Sequence, residues 1–224
     1  MKRISSGIKG LDGLIDGGIP ENDLVLLSGA CGAGKTIFGL QFIVSATKKE
    51  PGIFVSFEQE IPQIKLIASN FGWDIELLEK EGTIRFLKYD PFRLEDIMEV
   101  IENNIREIKA KRVVIDSISA LGMHMPDAGE LRRMIVLISN LLRKNGCTSL
   151  LISEVLNNGT LSRFGVEEFV TDGVILMHNR LVRGDYKRVL TIWKMRLTDH
   201  SRKVHLYEIK DSGIVVYPYR TVRD

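Results

Sequence analysis

The eight residues 29–36 have the types and the spacing needed to hold a chain of phosphate groups. They read Gly-Ala-Cys-Gly-Ala-Gly-Lys-Thr, which matches the pattern G-x-x-x-x-G-K-[ST]. Its glycines let several backbone N–H groups converge on the same oxygens, and the helix expected next adds its free N–H groups. We expect Lys35 to reach the β- and γ-phosphates of ATP and the Thr36 hydroxyl to bind Mg²⁺. The expected nucleotide contacts are Gly29, Ala30, Cys31, Gly32, Ala33, Gly34, Lys35, Thr36 and Ile37.

Two carboxylates further along the chain are candidates for the metal and for the attacking water. Asp116 comes near the end of the apolar run 112–117, where phosphate-loop proteins use an aspartate to orient Mg²⁺ or its water. Its alternative role is a helix N-cap. Glu58 comes first after the apolar run 53–57, which suits a general base, the alternative being a solvated loop carboxylate. Glu60 is instead a candidate cap for the next helix.

Strand and helix patterns alternate along the first two thirds of the chain, which predicts an α/β fold with a mostly parallel sheet. The phosphate-binding pattern lies between an apolar strand and a helix, as its mechanism requires, and this argues against a chance glycine-rich turn. Strands are predicted at 24–28, 52–57, 83–87, 112–117 and 149–153. Helices are predicted at 35–48, 62–71, 94–109 and 131–144.

The pattern changes after residue 170, where four apparent strands follow one another without a long helix between them. We expect an antiparallel extension on one edge of the parallel core. These strands are predicted at 173–178, 188–196, 203–209 and 214–217.

Bulk composition sets limits on what else the chain can be. Its 224 residues suffice for one sizeable core, and a net charge of +2 gives no strong attraction to nucleic acid or anionic membranes. No apolar run approaches the roughly 18 residues of a membrane span, and Met1-Lys2-Arg3 is not followed by an apolar segment, so we expect a cytoplasmic protein. The two cysteines, Cys31 and Cys147, form no metal-ligand pattern.

Taken in order, the motifs resemble those of the KaiC-like branch of the RecA superfamily of ATPases. The likeness runs over residues 4–218 and is to the single-domain archaeal and bacterial homologues rather than to the two-domain circadian clock protein. It implies that residues 1–224 form one RecA-like domain. Besides the phosphate loop, it is carried by S-G-I-K-G-L-D at 6–12, G-G-I-P at 17–20, F-E-Q at 57–59, G-V-E-E-F-V-T-D-G at 165–173 and W-K-M-R-L-T-D-H-S at 193–201.

The resemblance implies more about the site than the residues alone can. Such proteins often form hexameric rings with ATP between neighbouring subunits. Lys194 and Arg196 match the two cations that reach the γ-phosphate held by the adjacent subunit. His200, Arg202 and Asp211 match positions that contact the neighbour's nucleotide base or ribose. Because residues two apart on a strand share a face, Lys194 and Arg196 could act together; a solvated basic stripe is the alternative.

Five positions depart from the family pattern, and one of them is Gln59, where many relatives have a second acid after Glu58. Leu197 and Asn22 stand where glycine is usual, and Asp199 stands where serine or threonine is usual. Glu154 ends its strand where a RecA-type sensor is often glutamine or another polar residue. These departures leave the phosphate loop untouched and bear on turnover and on the contact between subunits.

Several functions are compatible with this sequence. The first is a ring-forming, Mg²⁺-dependent ATPase that acts in regulation or signalling and has a protein partner. The second is a DNA recombinase or motor, although the candidate central loops, 119–130 and 155–166, are not notably basic. The third is a nucleotide-binding switch that does not hydrolyse. Protein phosphotransfer, as in the clock protein, belongs to a second domain that is not found in this sequence.

Overall fold

The computed structural model describes residues 1–45, 50–90, 96–156 and 159–221, which form a three-layer α/β/α arrangement. The strands are β1 (Arg3–Ile4), β2 (Ile19–Pro20), β3 (Leu24–Gly29), β4 (Gly52–Ser56), β5 (Ile84–Lys88), β6 (Arg112–Asp116), β7 (Thr148–Glu154), β8 (Gly173–Val182), β9 (Asp185–Met195), β10 (His205–Lys210) and β11 (Gly213–Thr221). The helices are α1 (Lys35–Val44), α2 (Ile61–Ser69), α3 (Ile75–Lys80), α4 (Ile97–Ile108), α5 (Ile118–Gly122), α6 (Ala128–Lys144) and α7 (Glu167–Val170).

Nine of these strands form one sheet in the order β11-β10-β9-β8-β3-β7-β6-β4-β5. The six strands from β8 to β5 pair in parallel, whereas β9, β10 and β11 continue the sheet in antiparallel fashion. This arrangement confirms the predicted α/β class, with a mostly parallel sheet and an antiparallel C-terminal extension. Strands β1 and β2 form a separate antiparallel pair.

The central strands are apolar throughout because helices cover both faces of the sheet. All six residues of β3 are buried, and so are all five of β4. One buried cluster lies under α1, α2 and α3, where it includes Phe38 and Ile64, and the other lies under α4, α5 and α6, where it includes Ile101 and Ile135. Because these strands are parallel, their carboxyl ends lie at the same end of the sheet, where polar loops can converge.

The sequence located the long elements better than the short ones. Helices α3, α5 and α7 were not predicted, and α6 begins at Ala128 rather than at residue 131. Side-chain caps account for three of these starts, since Asp74, Ser117 and Asp127 each accept a backbone N–H three residues on. The predicted ends of two helices, Lys48 and Leu94, lie outside the described residues.

The long β8–β9 hairpin extends beyond the predicted strands. Its two-residue turn, Arg183 and Gly184, has φ values of 52° and 89°, as a tight hairpin turn requires. Strand β10 pairs with β9 at only two positions, His205 and Leu206, whereas it pairs with β11 along its length. Among the described residues, no helix is long and apolar enough to cross a membrane.

Candidate functional site

The phosphate loop lies between β3 and α1, as predicted. Gly34 is the N-cap of α1 with φ 90°, and Gly32 has φ 75°; both values are left-handed and suit glycine. A Cβ atom at Gly32 would meet no atom within 4 Å of its own chain, so the loop leaves an open cradle in front of the helix N-terminus. This is the geometry in which backbone N–H groups bind phosphate oxygens.

Lys35 is folded back onto the loop. Its Nζ donates to the carbonyl oxygens of Gly29 and Ala30, at 2.9 and 3.0 Å. Burial lowers the pKa of Lys35, while the carboxylates of Glu154 and Asp116 act in the opposite direction. A buried ammonium group beside an open cradle is well placed to attract phosphate oxygens.

Asp116 and Thr36 meet directly at the end of β6. The Thr36 hydroxyl donates to Asp116 Oδ2 at 2.7 Å, so the two expected Mg²⁺ ligands are adjacent. Burial raises the pKa of Asp116 to about 6; the Thr36 hydrogen bond opposes this shift, and the charge of Glu58 adds to it. Ser117, not Asp116, caps α5, which excludes the N-cap alternative for Asp116.

Glu58 lies on the rim of the same cavity, on the exposed turn that follows β4. Its Oε2 lies 3.5 Å from the Ser117 hydroxyl. Glu60 occupies the N-cap position of α2 without a side-chain capping bond, and its carboxylate lies 3.6 Å from the Lys88 ammonium. Glu58 therefore lines the cavity, whereas the Glu60 carboxylate faces Lys88.

A cavity of about 340 Å³ joins these groups. Sequence reasoning missed Gln59, Ile67 and Ser117 as lining residues and treated Glu154 only as a departure from the family. The signal for Glu154 was its place at the end of β7, the strand next to β3. The lining residues are Cys31, Gly32, Gly34, Lys35, Thr36, Ile37, Glu58, Gln59, Ile67, Asp116, Ser117 and Glu154.

Glu154 adds a third carboxylate to the site. Arg163 partly neutralises it, with Nη1 3.1 Å from Glu154 Oε2. The Glu154 backbone N–H donates to the Ser119 hydroxyl oxygen at 2.8 Å, which fixes the end of β7 against α5. The charges around Lys35 are therefore arranged by three neighbouring strand ends, β4, β6 and β7.

The β10–β11 hairpin packs against the phosphate loop through its residues Tyr207 and Ile209. The buried Tyr207 hydroxyl donates to the carbonyl oxygen of Ala33, and burial raises the pKa of Tyr207 well above its usual value. A Cβ atom at Gly34 would lie 2.9 Å from the Ile209 side chain, so the hairpin packs closely on the loop. No motif in the sequence pointed to this support, because it depends on a contact between residues 174 positions apart.

The residues present fit Mg²⁺ and a nucleoside triphosphate. The cradle at Gly32 is open to phosphate, and Lys35 is a buried cation beside it. Thr36 and Asp116 offer the hydroxyl and carboxylate oxygens that Mg²⁺ prefers.

Lys194 and Arg196 lie at the opposite end of the sheet from the phosphate loop of their own chain. That loop follows Gly29 at the carboxyl end of β3, whereas β9 runs against β8 and β3. The Arg196 N–H donates to Asp172 O, and the Asp172 N–H donates to Leu24 O. Arg196 is therefore level with the first residue of β3, roughly 17 Å along the strand from Gly29.

The five residues expected to contact a neighbour's nucleotide do not all lie together. Lys194 and Arg196 contact the same turn, as residues on one face should, although β9 ends at Met195. His200 and Arg202 lie in the connection between β9 and β10, which leads from the end of β9 to His205, a residue level with Gly29 in the sheet. Asp211 lies in the β10–β11 turn, at the phosphate-loop end of the sheet and away from Arg196 along the strand direction.

The sheet order, the phosphate loop and the adjacent side chains of Thr36 and Asp116 define a P-loop nucleotide-binding protein with a RecA-like fold. A family model described as "ATPase: KaiC" matches residues 4–221, and the chain belongs to this family. Membership supports an ATP-binding, RecA-like function and confirms the resemblance expected from the motifs.

Individual relatives agree with this family. The chain is 36% identical to a UPF0273 protein of Pyrococcus horikoshii, over 99% of this chain and 96% of that protein. It is 35% identical to the circadian clock oscillator protein KaiC of Parathermosynechococcus lividus, over 95% of this chain but 42% of that protein. The crystal structure of a KaiC-like protein from Pyrococcus horikoshii superposes with a TM-score of 0.90 at 39% identity, covering 97% of this chain and 99% of that one.

Proposed function

We propose that this protein is a Mg²⁺-dependent ATPase whose sites are shared between adjacent copies of the chain in a ring, most simply a hexamer. One observation carries the proposal: the cations Lys194 and Arg196 lie at the end of the sheet opposite to their own phosphate loop. They cannot serve phosphates held by that loop, but a head-to-tail neighbour would present its own loop to them. A heterologous contact of this kind forms a ring when the rotation between neighbours closes on itself.

In the proposed reaction, the loop N–H groups and Lys35 hold the triphosphate of ATP. Thr36 and Asp116 would hold Mg²⁺, which neutralises charge on the phosphate oxygens. Glu58 orients a water molecule and accepts its proton as the water attacks the γ-phosphate. Lys194 and Arg196 of the neighbouring copy offset the charge that develops on the transferred group; such a cation supplied in trans is worth about 10³–10⁵ in rate.

A mixing experiment tests the shared site. The Lys35→Ala chain has a defective loop and the Arg196→Ala chain lacks the cation, so each homo-oligomer should be inactive. When the two chains are co-expressed and mix at random, each head-to-tail interface takes its loop from one chain and its arginine from the next. About a quarter of the interfaces then combine an intact loop with an intact arginine. Recovery of about a quarter of the unmodified turnover per site is expected.

Two results would contradict the shared site. One is mixed oligomers, verified by molar mass in Mg-ATP, that recover no activity. The other is full turnover by a strictly monomeric chain.

The central loops favour a regulatory ATPase over a DNA motor. Arg163 pairs with Glu154, and Phe164 packs on α5, where its ring would lie 2.5 Å from a Cβ added at Gly122. Neither side chain is presented for stacking on bases or for pairing with backbone phosphates. We expect no retention on single-stranded DNA across a salt series at and above 0.1 M; retention that weakens steeply with salt would support the DNA alternative.

A further inference from the structure

We propose that Asp172 is a positioning residue that holds Arg196 in the conformation in which it meets the neighbouring copy's phosphate site. This inference rests on the proposed shared site. It adds a residue, at the carboxyl end of the segment 165–173, that acts on the reaction only through Arg196.

The contact between the two residues has two parts. The Asp172 carbonyl accepts the Arg196 backbone N–H at 3.0 Å, and Asp172 Oδ1 accepts from Arg196 Nη1 at 3.2 Å. Asp172 is buried, with 5% of its surface exposed, whereas the Arg196 side chain is 54% exposed. A fixed carboxylate therefore holds one terminal nitrogen of an arginine whose side chain is about half exposed.

The carboxylate itself is anchored by its other oxygen. Asp172 Oδ2 accepts from the Leu24 N–H at 3.1 Å and from Arg143 Nη2 at 2.7 Å. Leu24 begins the central strand β3 and Arg143 belongs to α6, so the anchor connects Arg196 to two rigid elements. Rigid support is what fixes the aim of a long side chain.

Lys194 is held by the same turn. Its Nζ donates to the carbonyl oxygens of Glu168 and Thr171, at 2.9 and 2.5 Å. Residues 168–172 thus form one platform under both cations. Because Lys194 is held by backbone carbonyls and Arg196 by the Asp172 carboxylate, a substitution at Asp172 removes the side-chain partner of Arg196 and leaves the carbonyl partners of Lys194 in place.

The anchor leaves Arg196 able to bind phosphate. A guanidinium group has five N–H donors, and within the described residues Asp172 engages the side chain through Nη1. The remaining edge is free to point outward. An arginine already ordered before the subunits meet loses less conformational freedom when it engages a phosphate, so anchoring favours the productive geometry.

The test is Asp172→Asn in the full-length protein, with steady-state kinetics, ATP binding, molar mass in Mg-ATP and thermal unfolding measured together. We expect kcat to fall by about 10²-fold while KM and ATP affinity change by about twofold or less, since ATP is held by the other subunit's loop. The control is Glu107→Gln, which breaks a surface ion pair with Arg85 outside this platform and should leave kcat within about twofold.

The double variant Asp172→Asn/Arg196→Ala separates positioning from a general loss of structure. If Asp172 acts through Arg196, the double variant turns over no more slowly than Arg196→Ala alone. A further, multiplicative loss in the double variant overturns the inference, and so does unchanged kcat in a folded Asp172→Asn protein. If Asp172→Asn does not fold, Asp172→Glu keeps the charge but displaces the carboxylate; a kcat equal to that of the unmodified protein would then overturn the inference.

The two proposals fail in different ways. If Arg196→Ala itself turns over normally, the shared site is wrong and the positioning role falls with it. If Arg196→Ala is inactive but Asp172→Asn is normal, the shared site stands and only the positioning role is wrong.

Discussion

The Thr36 hydroxyl donates a 2.7 Å hydrogen bond to Asp116 across two neighbouring elements, the start of α1 and the end of β6. These residues are 80 positions apart in sequence, and the parallel pairing of β6 with β7 and of β7 with β3 brings them together. The contact places a hydroxyl and a carboxylate where one metal ion could engage both. It also gives the partly buried Asp116 carboxylate a hydrogen-bond donor.

Asp116→Asn should weaken the Mg²⁺ dependence of nucleotide binding. The amide can still accept from Thr36, so the loop should keep its shape, but it supplies no negative charge to the metal. We expect the Mg²⁺ concentration needed for half-maximal ATP binding to rise by about 10- to 100-fold. A magnesium titration with a fluorescent ATP analogue measures this shift, and an unchanged midpoint would remove Asp116 from the metal site.

Glu58→Gln should abolish most hydrolysis and leave ATP binding intact. A glutamine cannot accept the proton of the attacking water, so turnover should fall by about 10²–10⁴-fold. Glu60→Gln is the matched control, because the Glu60 carboxylate faces Lys88 and should affect turnover little. Equal losses in the two variants would mean that Glu58 is not the base. Retained ATP binding with no phosphate release in the unmodified protein would instead favour the non-hydrolysing switch.

Tyr207→Phe should loosen the phosphate loop. The variant removes the hydroxyl that donates to Ala33 O and leaves a buried carbonyl without that donor. We expect a loss of about 1 kcal/mol in unfolding free energy and a melting temperature lower by about 2–4 °C. ATP affinity should fall as well, because the loop is less well ordered. Tyr217→Phe is the control, since that hydroxyl meets Glu208 on the exposed hairpin surface; equal effects of the two changes would refute the coupling.

Asp23→Asn should stabilise the protein at neutral pH but not at pH 4. Burial, and secondly the charge of Asp172, raises the pKa of Asp23 from 3.8 to about 6. The folded state then binds this proton more tightly than the unfolded chain, so stability falls as pH rises through roughly 4 to 6. The neutral amide removes that loss. Thermal unfolding of both proteins from pH 4 to 8 tests this, and a gain that is the same at every pH would contradict it.

Two departures from the family pattern illustrate how far sequence comparison could reach. Asn22 and Leu197 stand where glycine is usual, and both have left-handed backbone conformations, with φ values of 70° and 53°. Asparagine tolerates this conformation, whereas a leucine there is strained, and the Leu197 side chain is exposed. The family pattern marked the positions, but only the backbone revealed why glycine is usual there.

The short elements show where sequence reasoning was weakest. The buried strands were predicted well, because an apolar run covered on both faces leaves a clear pattern. Helices α3 and α5 were missed, although Asp74 and Ser117 cap them, because each spans six residues or fewer and presents little periodicity. Asp127 followed by Glu130 is a capping pattern that indicates the start of α6. The apolar pattern alone placed that start three residues too late.

The sequence by itself determined the phosphate loop and the α/β class, because each depends on local spacing or on the regular alternation of buried elements. The structure decided the rest, because it depends on which strands become neighbours. It placed Glu154 beside Lys35, set Tyr207 under Ala33, and moved Asp211 to the opposite end of the sheet from Arg196. Spacing along the chain cannot fix such relationships, because antiparallel strands carry residues that are close in sequence to opposite ends of one sheet.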